Sequence, residues 1–159
     1  MEKSNAGSPS WKLMQLGLVV RDMDKALKRF SALGFGPFTP KLLPPGTKEW
    51  FRGKPFQGKV NLYATMVGEI ELELCQPVSG ESPHQEFLDS KGEGLQHVMF
   101  TVDDLEKEID RLTKQGATVL LRAKFDSGGL AYLDLDASGF IVELVQRPKE
   151  GSQKAERKE

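Results

Sequence analysis

Residues 13–34 read LMQLGLVVRDMDKALKRFSALG, and residues 95–116 read LQHVMFTVDDLEKEIDRLTKQG. An offset of 82 residues (97 − 15) places Gln15 over His97 and also aligns a valine, an aspartate, a lysine, an arginine and the terminal glycine of the two stretches. Two copies indicate a duplicated module rather than a longer repeat array. The chain is therefore predicted to fold as two similar halves.

Each copy begins with a short apolar run and continues with helical periodicity. Residues 14–20 predict a strand, and Asp22 is placed to cap a helix that ends at Gly34. The second copy predicts a strand at 96–102, a cap at Asp103 or Asp104 and a helix end at Gly116. Other predicted elements are an edge strand within 35–45, a short helix at 86–88 and strands at 59–66, 69–76, 118–125, 130–134 and 140–146.

A second repeated pair lies downstream of each helix. ELELCQ at 71–76 aligns with IVELVQ at 141–146, which places Glu73 over Glu143 in the middle of two otherwise apolar strands. A buried carboxylate is destabilising unless it is paired or bound to a cation. Both glutamates are therefore candidate ligands of a cation.

The two halves are predicted to enclose a cavity. One helix covers only one face of each half, and strand alternation puts Gln15 and His97 on the other face. If these faces meet, Gln15, Glu73, His97 and Glu143 converge. Imidazole and oxygen donors together suit Zn, Ni, Co, Mn or Fe(II). The alternative is a metal-free binding fold in which the four residues are vestigial, and their joint placement on the repeat favours the metal.

The predicted fold class is α+β, with two βαβββ modules forming a curved mixed sheet around a cavity. The predicted boundaries are a flexible lead at 1–10, one domain at 11–148 and a charged, flexible tail at 149–159. Within the domain, the first module covers about 11–78, a joint about 79–94 and the second module about 95–148.

Composition excludes several classes of function. The formal net charge of −1 gives no electrostatic case for nucleic acid or an anionic membrane as a partner. No apolar run approaches the ~20 residues that span a bilayer, and the N-terminus lacks the apolar core of a secretory signal. The single Cys75 suits a reducing compartment, so a cytoplasmic location is expected. Cys75 is interpreted as a small buried apolar residue, and His84, outside the repeat, as a surface residue.

The repeats resemble the vicinal oxygen chelate superfamily of glyoxalase, bleomycin resistance and dioxygenase proteins. QLGLVVRDMDKALKRFSALGFGPF (15–38) and SGESPHQEFLDSKGEGLQHVMFTVDDLEKEIDRL (79–112) look most like the methylmalonyl-CoA epimerase-like members. The resemblance covers nearly all of 13–148. It implies a small-molecule substrate, a homodimer and one divalent metal in the cavity, with Gln15, Glu73, His97 and Glu143 as its ligands.

Two departures refine the resemblance. Epimerases usually carry His at the position of Gln15, and the set of Gln, Glu, His and Glu instead resembles the zinc site of eukaryotic-type glyoxalase I. Phe56 stands where the epimerase pattern has a carboxylate, so the two-base proton relay of epimerases does not carry over at this segment. Glu49, Glu69 and Glu71 are three candidates for a compensating carboxylate.

The resemblance implies isomerase or lyase chemistry at a carbon beside a carbonyl, through an enediolate or enolate. Its substrate would be an acyl-CoA thioester, a hemithioacetal or another ligand with neighbouring oxygens. Glu143 or Glu73 would act as the base, and Glu143 is our hypothesis. A ring-cleaving dioxygenase uses two His and one Glu on Fe(II), which Gln15 argues against. A non-enzymatic small-molecule binder of the same fold is the other alternative.

Basic residues near the expected cavity are candidate substrate contacts. Arg52 and Lys54 are predicted on a loop with Trp50 and Phe51, and Arg122 and Lys124 on a strand. They would bind a carboxylate or a CoA, and a solvated basic edge is the alternative. The Gly128-Gly129 turn would let backbone approach a ligand closely, although a hairpin turn alone would also explain it.

Overall fold

The computed structural model describes residues 9–136 and 139–146. The predicted tail at 149–159, the end of the domain at 148 and most of the predicted lead lie outside the described residues. In chain order the elements are β1 (Lys12–Val19), α1 (Met23–Ala32), β2 (Thr39–Pro40), β3 (Lys48–Phe51), β4 (Lys54–Pro55), β5 (Lys59–Val67), β6 (Ile70–Ser79), α2 (Pro83–Lys91), β7 (Gly94–Val102), α3 (Leu105–Thr113), β8 (Thr118–Phe125), β9 (Gly128–Asp134) and β10 (Ile141–Gln146).

The described strands form one ten-stranded mixed sheet in the order β2-β5-β6-β1-β7-β10-β9-β8-β3-β4. Strand β1 runs parallel to β6, and β7 runs parallel to β10, while β1 and β7 pair antiparallel and join the two halves. The predicted α+β class and module architecture are confirmed. Because β1 and β7 pair directly, the halves share one continuous sheet rather than facing each other as two separate sheets.

The pairing registers reproduce the duplication seen in the sequence. Glu73 lies opposite Gly17 in the first half, and Glu143 lies opposite Met99 in the second. Gly17 and Met99 are equivalent at the offset of 82 residues. Two sequence alignments with different offsets therefore meet in one structural equivalence.

Helices α1 and α3 cover the convex face of the sheet. Leu74 packs in the cluster around α1, and Val142 and Leu144 pack in the cluster around α3, as strand alternation predicts. Both helices begin at aspartates, Asp22 and Asp104, whose carboxylates accept a backbone N–H three residues on. Within the described residues, no helix combines the length and apolar character needed to cross a bilayer.

The segment around Trp50 differs from its predicted loop. Residues Lys48–Phe51 form β3, which pairs with β8 at the far edge of the second half, and Lys54–Pro55 form β4. The chain thus crosses from β2 at one end of the sheet to β3 near the other. Prolines make this stretch look irregular locally, but a strand of the other half supplies its hydrogen-bond partners.

Helix α2 is longer than predicted and lies on the concave side. Its Leu88 packs with Val19 and Cys75, residues that alternation places on the face away from α1. His84, in the first turn of α2, is only 5% exposed. The prediction that His84 lies on the surface is therefore wrong, because the connection between the halves folds back over the sheet instead of running through solvent.

Candidate metal centre and cavity

A cavity of about 500 Å³ opens on the concave face of the sheet. Its apolar wall combines residues of both halves with the crossing segment, and the chief members are Leu42, Leu43, Phe56, Val60, Leu62, Met99, Leu121, Phe125, Leu130 and Val145. Its polar lining includes Lys41, Glu49, Lys59, Glu73, His84, Tyr132 and Glu143. Charged groups in an apolar cavity of this size identify the candidate functional site.

The four predicted ligands come together around one nitrogen atom. His97 Nε2 lies 3.1 Å from Gln15 Oε1, 3.3 Å from Glu143 Oε2 and 3.6 Å from Glu73 Oε2. All four residues are at most 5% exposed. Each comes from one of four neighbouring strands, β1, β6, β7 and β10, and the module duplication places them symmetrically.

Neighbouring amide and carboxylate groups fix which atoms face the centre. Gln96 Oε1 lies 2.8 Å from His97 Nδ1, and an amide oxygen can only accept, so Nδ1 carries the hydrogen and Nε2 a lone pair. Gln15 Nε2 donates to Glu71 Oε1 at 2.5 Å, so the Gln15 oxygen points to His97. Acceptor atoms therefore face one another, an arrangement that a bound cation stabilises.

The His97 ring has room only because its cross-strand neighbour is glycine. Gly17 pairs with His97 between β1 and β7, and a Cβ on Gly17 would lie 1.9 Å from His97 Cε1. Any side chain at this position would displace the ring. Gly17 is thus as much part of the site as the residues that carry donor atoms.

A lysine from the crossing segment reaches the same carboxylates. Lys41 Nζ lies 3.5 Å from Glu73 Oε1 and also bonds Glu71 Oε1. Burial by itself lowers the pKa of Lys41, but the negative charges of Glu73 and Glu71 outweigh it and leave this pKa raised. Burial and the charge of Glu143 raise the pKa of Glu73, against the opposing effect of Lys41. The site concentrates negative charge that one lysine only partly neutralises.

Tyr132 stands beside Glu143 on the neighbouring strand. The two residues are register partners between β9 and β10, and the Tyr132 hydroxyl hydrogen-bonds the Glu143 carboxylate. The Tyr132 ring meets the His97 ring edge to face at 4.9 Å between centroids. Burial raises the pKa of Tyr132 well above its ordinary value, so the hydroxyl keeps its proton and donates.

By donor chemistry, Gln15, Glu73, His97 and Glu143 fit a divalent metal ion. One imidazole nitrogen and three oxygen atoms suit borderline and hard divalent ions. The hydrogen bonds of Gln96 to His97 and of Glu71 to Gln15 match the outer contacts that orient metal ligands in proteins. Lys41 is the competing cation.

Sequence reasoning missed four residues of the site: Lys41, His84, Gln96 and Tyr132. Tyr132 had a signal, since alternation puts it on the same face as Leu130 in a strand that was predicted. Gln96 had one too, since it precedes His97. Lys41 and His84 had none, because they lie outside the repeat and reach the cavity through the crossing segment and α2.

The five predicted substrate contacts are absent from the residues that line the described cavity. Leu121 and Phe125 line it, so alternation points Arg122 and Lys124 to the opposite face, where Arg122 pairs with a glutamate of α3. Arg52 pairs with Glu86 of α2 at 2.8 Å. Gly128 and Gly129 begin β9 after the β8–β9 turn. A role for these five residues in substrate binding stays a prediction.

Structure separates the three candidates for a compensating carboxylate. Glu49, on β3, lines the cavity, and burial raises its pKa. Glu69 is exposed at the β5–β6 turn. Glu71 is engaged by Gln15 and Lys41. Glu49 is thus the carboxylate that faces the same space as Glu143 while making no described ion pair.

Comparison with known proteins places this geometry in a family. The Glyoxalase/Bleomycin resistance protein/Dioxygenase superfamily matches residues 14–132, most of the described fold. The chain belongs to this superfamily. The resemblance expected from the repeats is confirmed at this level.

Individual relatives include epimerases and uncharacterised proteins. The chain is 31% identical over 92 residues to the uncharacterised protein YqjC of Bacillus subtilis, a match that covers 55% of this chain and 66% of that protein's length. It is 29% identical over 147 residues to mouse mitochondrial methylmalonyl-CoA epimerase, which covers 87% of this chain and 76% of the mouse protein.

Solved structures share the fold at lower identity. A hypothetical protein of Bacillus halodurans superposes with a TM-score of 0.63 at 23% identity, covering 89% of this chain and 97% of that one. Methylmalonyl-CoA epimerase of Mycobacterium tuberculosis superposes with a TM-score of 0.60 at 23% identity, covering 90% and 93%. These structures establish the fold. The activity has to be argued from the site.

Proposed function

We propose that this chain is a divalent-metal-dependent isomerase or lyase that acts at a carbon next to a carbonyl. The observation that carries the proposal is the convergence of Gln15, Glu73 and Glu143 oxygens on the bare Nε2 of His97. A divalent ion held there would supply Lewis-acid stabilisation of the negative charge that develops on substrate oxygens when the neighbouring carbon loses a proton. Zn, Ni, Co, Mn and Fe(II) all suit this donor set.

Glu143 is the proposed base. Its carboxylate lines the cavity and is held by the hydroxyl of Tyr132, which fixes its position toward the substrate space. The carbon–hydrogen bond of the substrate breaks, the proton passes to Glu143, and the electron pair moves into an enolate or enediolate. A positioned base of this kind contributes roughly 10²–10⁴-fold to a rate.

Glu49 is the proposed second carboxylate, in place of the one that Phe56 replaces. It lies on β3, a strand of the first half that pairs with the second, and it lines the cavity together with Glu143. Its raised pKa favours the protonated form. Glu49 would return a proton to the carbon skeleton as Glu143 keeps the one removed, which completes an epimerisation or isomerisation.

The substrate class follows from the wall of the cavity. Its apolar residues suit an acyl or alkyl group, and the polar end suits two neighbouring oxygens. Acyl-CoA thioesters and the hemithioacetals of 2-oxoaldehydes both meet this description. The solved relatives include a methylmalonyl-CoA epimerase in complex with methylmalonyl-CoA. A homodimer and a cytoplasmic location belong to the same proposal.

The test combines metal content with proton exchange. Plasma mass spectrometry of the purified protein should find near-stoichiometric metal, lost in His97→Ala. In D₂O, NMR should show deuterium entering the carbon next to the carbonyl of an acyl-CoA thioester or a hemithioacetal. Glu143→Gln should slow this exchange by at least ~100-fold, and Glu49→Gln should slow product formation. Glu108→Gln, an exposed carboxylate on α3, is the matched control. Full activity in Glu143→Gln would refute the assignment of the base.

A non-enzymatic binder is the second candidate, and Lys41 is the observation that favours it. Its ammonium lies against Glu71 and Glu73 and so neutralises part of the charge without a metal. Absence of metal in the purified protein, with none taken up on soaking, would favour this reading. The apolar cavity would then bind a small molecule without transforming it.

A further inference from the structure

His84 is a buried imidazole whose nitrogens are unused. Among the described residues, neither Nδ1 nor Nε2 has a hydrogen-bond partner, although the residue is only 5% exposed. The ring lines the cavity and meets Tyr132 and His97 edge to face, at 5.5 and 6.1 Å between centroids. A buried polar group without a partner typically costs about 1–3 kcal/mol, so its presence calls for a ligand.

Two other donors lie beside it. Cys75 Sγ and one ring nitrogen each of His84 and His97 all lie within 4.8 Å of one another, and all three residues are buried. Cys75 follows Glu73 by two residues on β6, so alternation brings its thiol to the concave side. The thiol donates to Glu73 Oε2 at 3.3 Å.

The three donors differ in chemistry from the oxygen-rich set. One sulfur and two imidazoles suit thiophilic and borderline ions such as Zn²⁺ and Cu⁺, whereas amide and carboxylate oxygens suit harder ions. A coordinated thiol loses its proton outright, so an ion would also relieve the burial that raises the pKa of Cys75. Three protein ligands would leave a coordination position open toward the cavity.

We propose that Cys75, His84 and His97 form a second metal site, sulfur-containing, at the α2 end of the cavity. It takes a thiophilic ion, with Zn²⁺ as the probe. The proposal does not need the oxygen-rich centre to be catalytic. His97 belongs to both sets, and its Nδ1 is engaged by Gln96, which leaves Nε2 as the ligating atom for either one. The two sites therefore compete for His97, and one ion at a time is bound through it.

Cobalt distinguishes the two sites by colour. The full chain is stripped with a chelator and loaded with one equivalent of Co²⁺, because a cobalt–thiolate bond gives charge-transfer absorption in the near ultraviolet and oxygen ligands do not. In a Gln15→Ala/Glu143→Gln background, which disables the oxygen-rich set, this absorption is expected to be present. It is expected to vanish in both Cys75→Ser and Cys75→Ala.

Affinity for Zn²⁺ gives a second readout. Competition with a chromophoric chelator in the same background should show at least ~10-fold weaker binding for His84→Leu and for each Cys75 variant. Circular dichroism and thermal midpoints establish that the variants fold. Two substitutions of Cys75 with different polarity separate ligation from packing, because both remove the sulfur while only alanine keeps an apolar side chain.

The outcomes are separable from those of the proposed function. If Cys75→Ser keeps the charge-transfer absorption, or if the parent and the background variant never show it, the sulfur-containing site is refuted. In that case metal content and proton exchange that depend on Gln15 and Glu143 would still support the isomerase or lyase. The reverse pattern, sulfur ligation without exchange, would refute that activity and leave the second site standing.

Discussion

Gly17 is the residue at which one methyl group would disturb the centre. The His97 ring that covers it is fully buried and held by Gln96, so it cannot move aside freely. We expect Gly17→Ala to lower the free energy of unfolding by about 1–3 kcal/mol, as overpacking usually does. Metal affinity should fall with it, because the displaced ring carries the central nitrogen. Urea denaturation and metal titration measure the two effects.

The double variant Gly17→Ala/His97→Ala tests the stated cause. Removing the ring makes room for the added methyl group, so the two losses of stability should be strongly non-additive. Simple addition of the two single-variant effects would contradict a clash with this ring and would point to backbone effects at β1 instead.

His84 makes a prediction about acid stability. Burial lowers the pKa of His84 from its ordinary 6.5 to about 3, and the neighbouring His97 contributes. Between these values the unfolded chain binds a proton at this residue and the folded chain does not, so stability falls as pH falls from 6.5 toward 3. The loss from this group alone amounts to at most about 5 kcal/mol.

The comparison is with His84→Leu, in chelator-treated protein. Free energies of unfolding at several values of pH between 7 and 4 should fall less steeply with acid for the variant than for the parent. Parallel curves would show that His84 is protonated in the folded chain and would contradict the burial described above.

At the scale of elements, α2 is the helix that closes one end of the cavity. Ser82 caps it by accepting from the backbone N–H of Gln85 at 3.0 Å, and Ser82 is only 1% exposed. We expect Ser82→Ala to destabilise the protein by about 1 kcal/mol. Because α2 carries His84, the variant should also weaken Zn²⁺ binding at the sulfur-containing site. Thermal denaturation and zinc titration are the measurements.

Asp22→Ala removes the matching cap of α1 and serves as the control. Its carboxylate accepts from the Lys25 N–H at 3.0 Å on the convex side. The loss of stability should be similar, while zinc binding should be unchanged. Equal effects of the two variants on zinc binding would mean that general destabilisation, rather than the position of α2, controls the site.

Elements differ in how far local sequence predicts them. Strands β1 and β7 and helices α1 and α3 carry their own periodicity and caps, so their positions follow from the sequence. Strand β3 does not, because its four residues gain their hydrogen bonds from β8, more than sixty residues away. Helix α2 was predicted too short because its capping serine and Pro83 precede the apolar residues that were used to find it.

At the scale of the molecule, the two halves are interlocked. Strands β1 and β7 pair through the middle of the sheet, and β3 of the first half is added to the edge of the second. Neither half can complete its sheet alone. We therefore expect one cooperative thermal transition, with a calorimetric enthalpy equal to the van't Hoff enthalpy. Two resolved transitions would contradict this interlocking.

Sequence alone determined the duplication, the α+β class and the equivalence of Gln15 with His97 and of Glu73 with Glu143. It could do so because strand alternation and helical periodicity are local, and a duplicated module places the same positions on the same face. Tertiary structure alone decided that Glu49, Lys41 and His84 face the same cavity. Those positions depend on a crossing segment and a helix folding back over the sheet, which are contacts between parts of the chain that carry no local pattern.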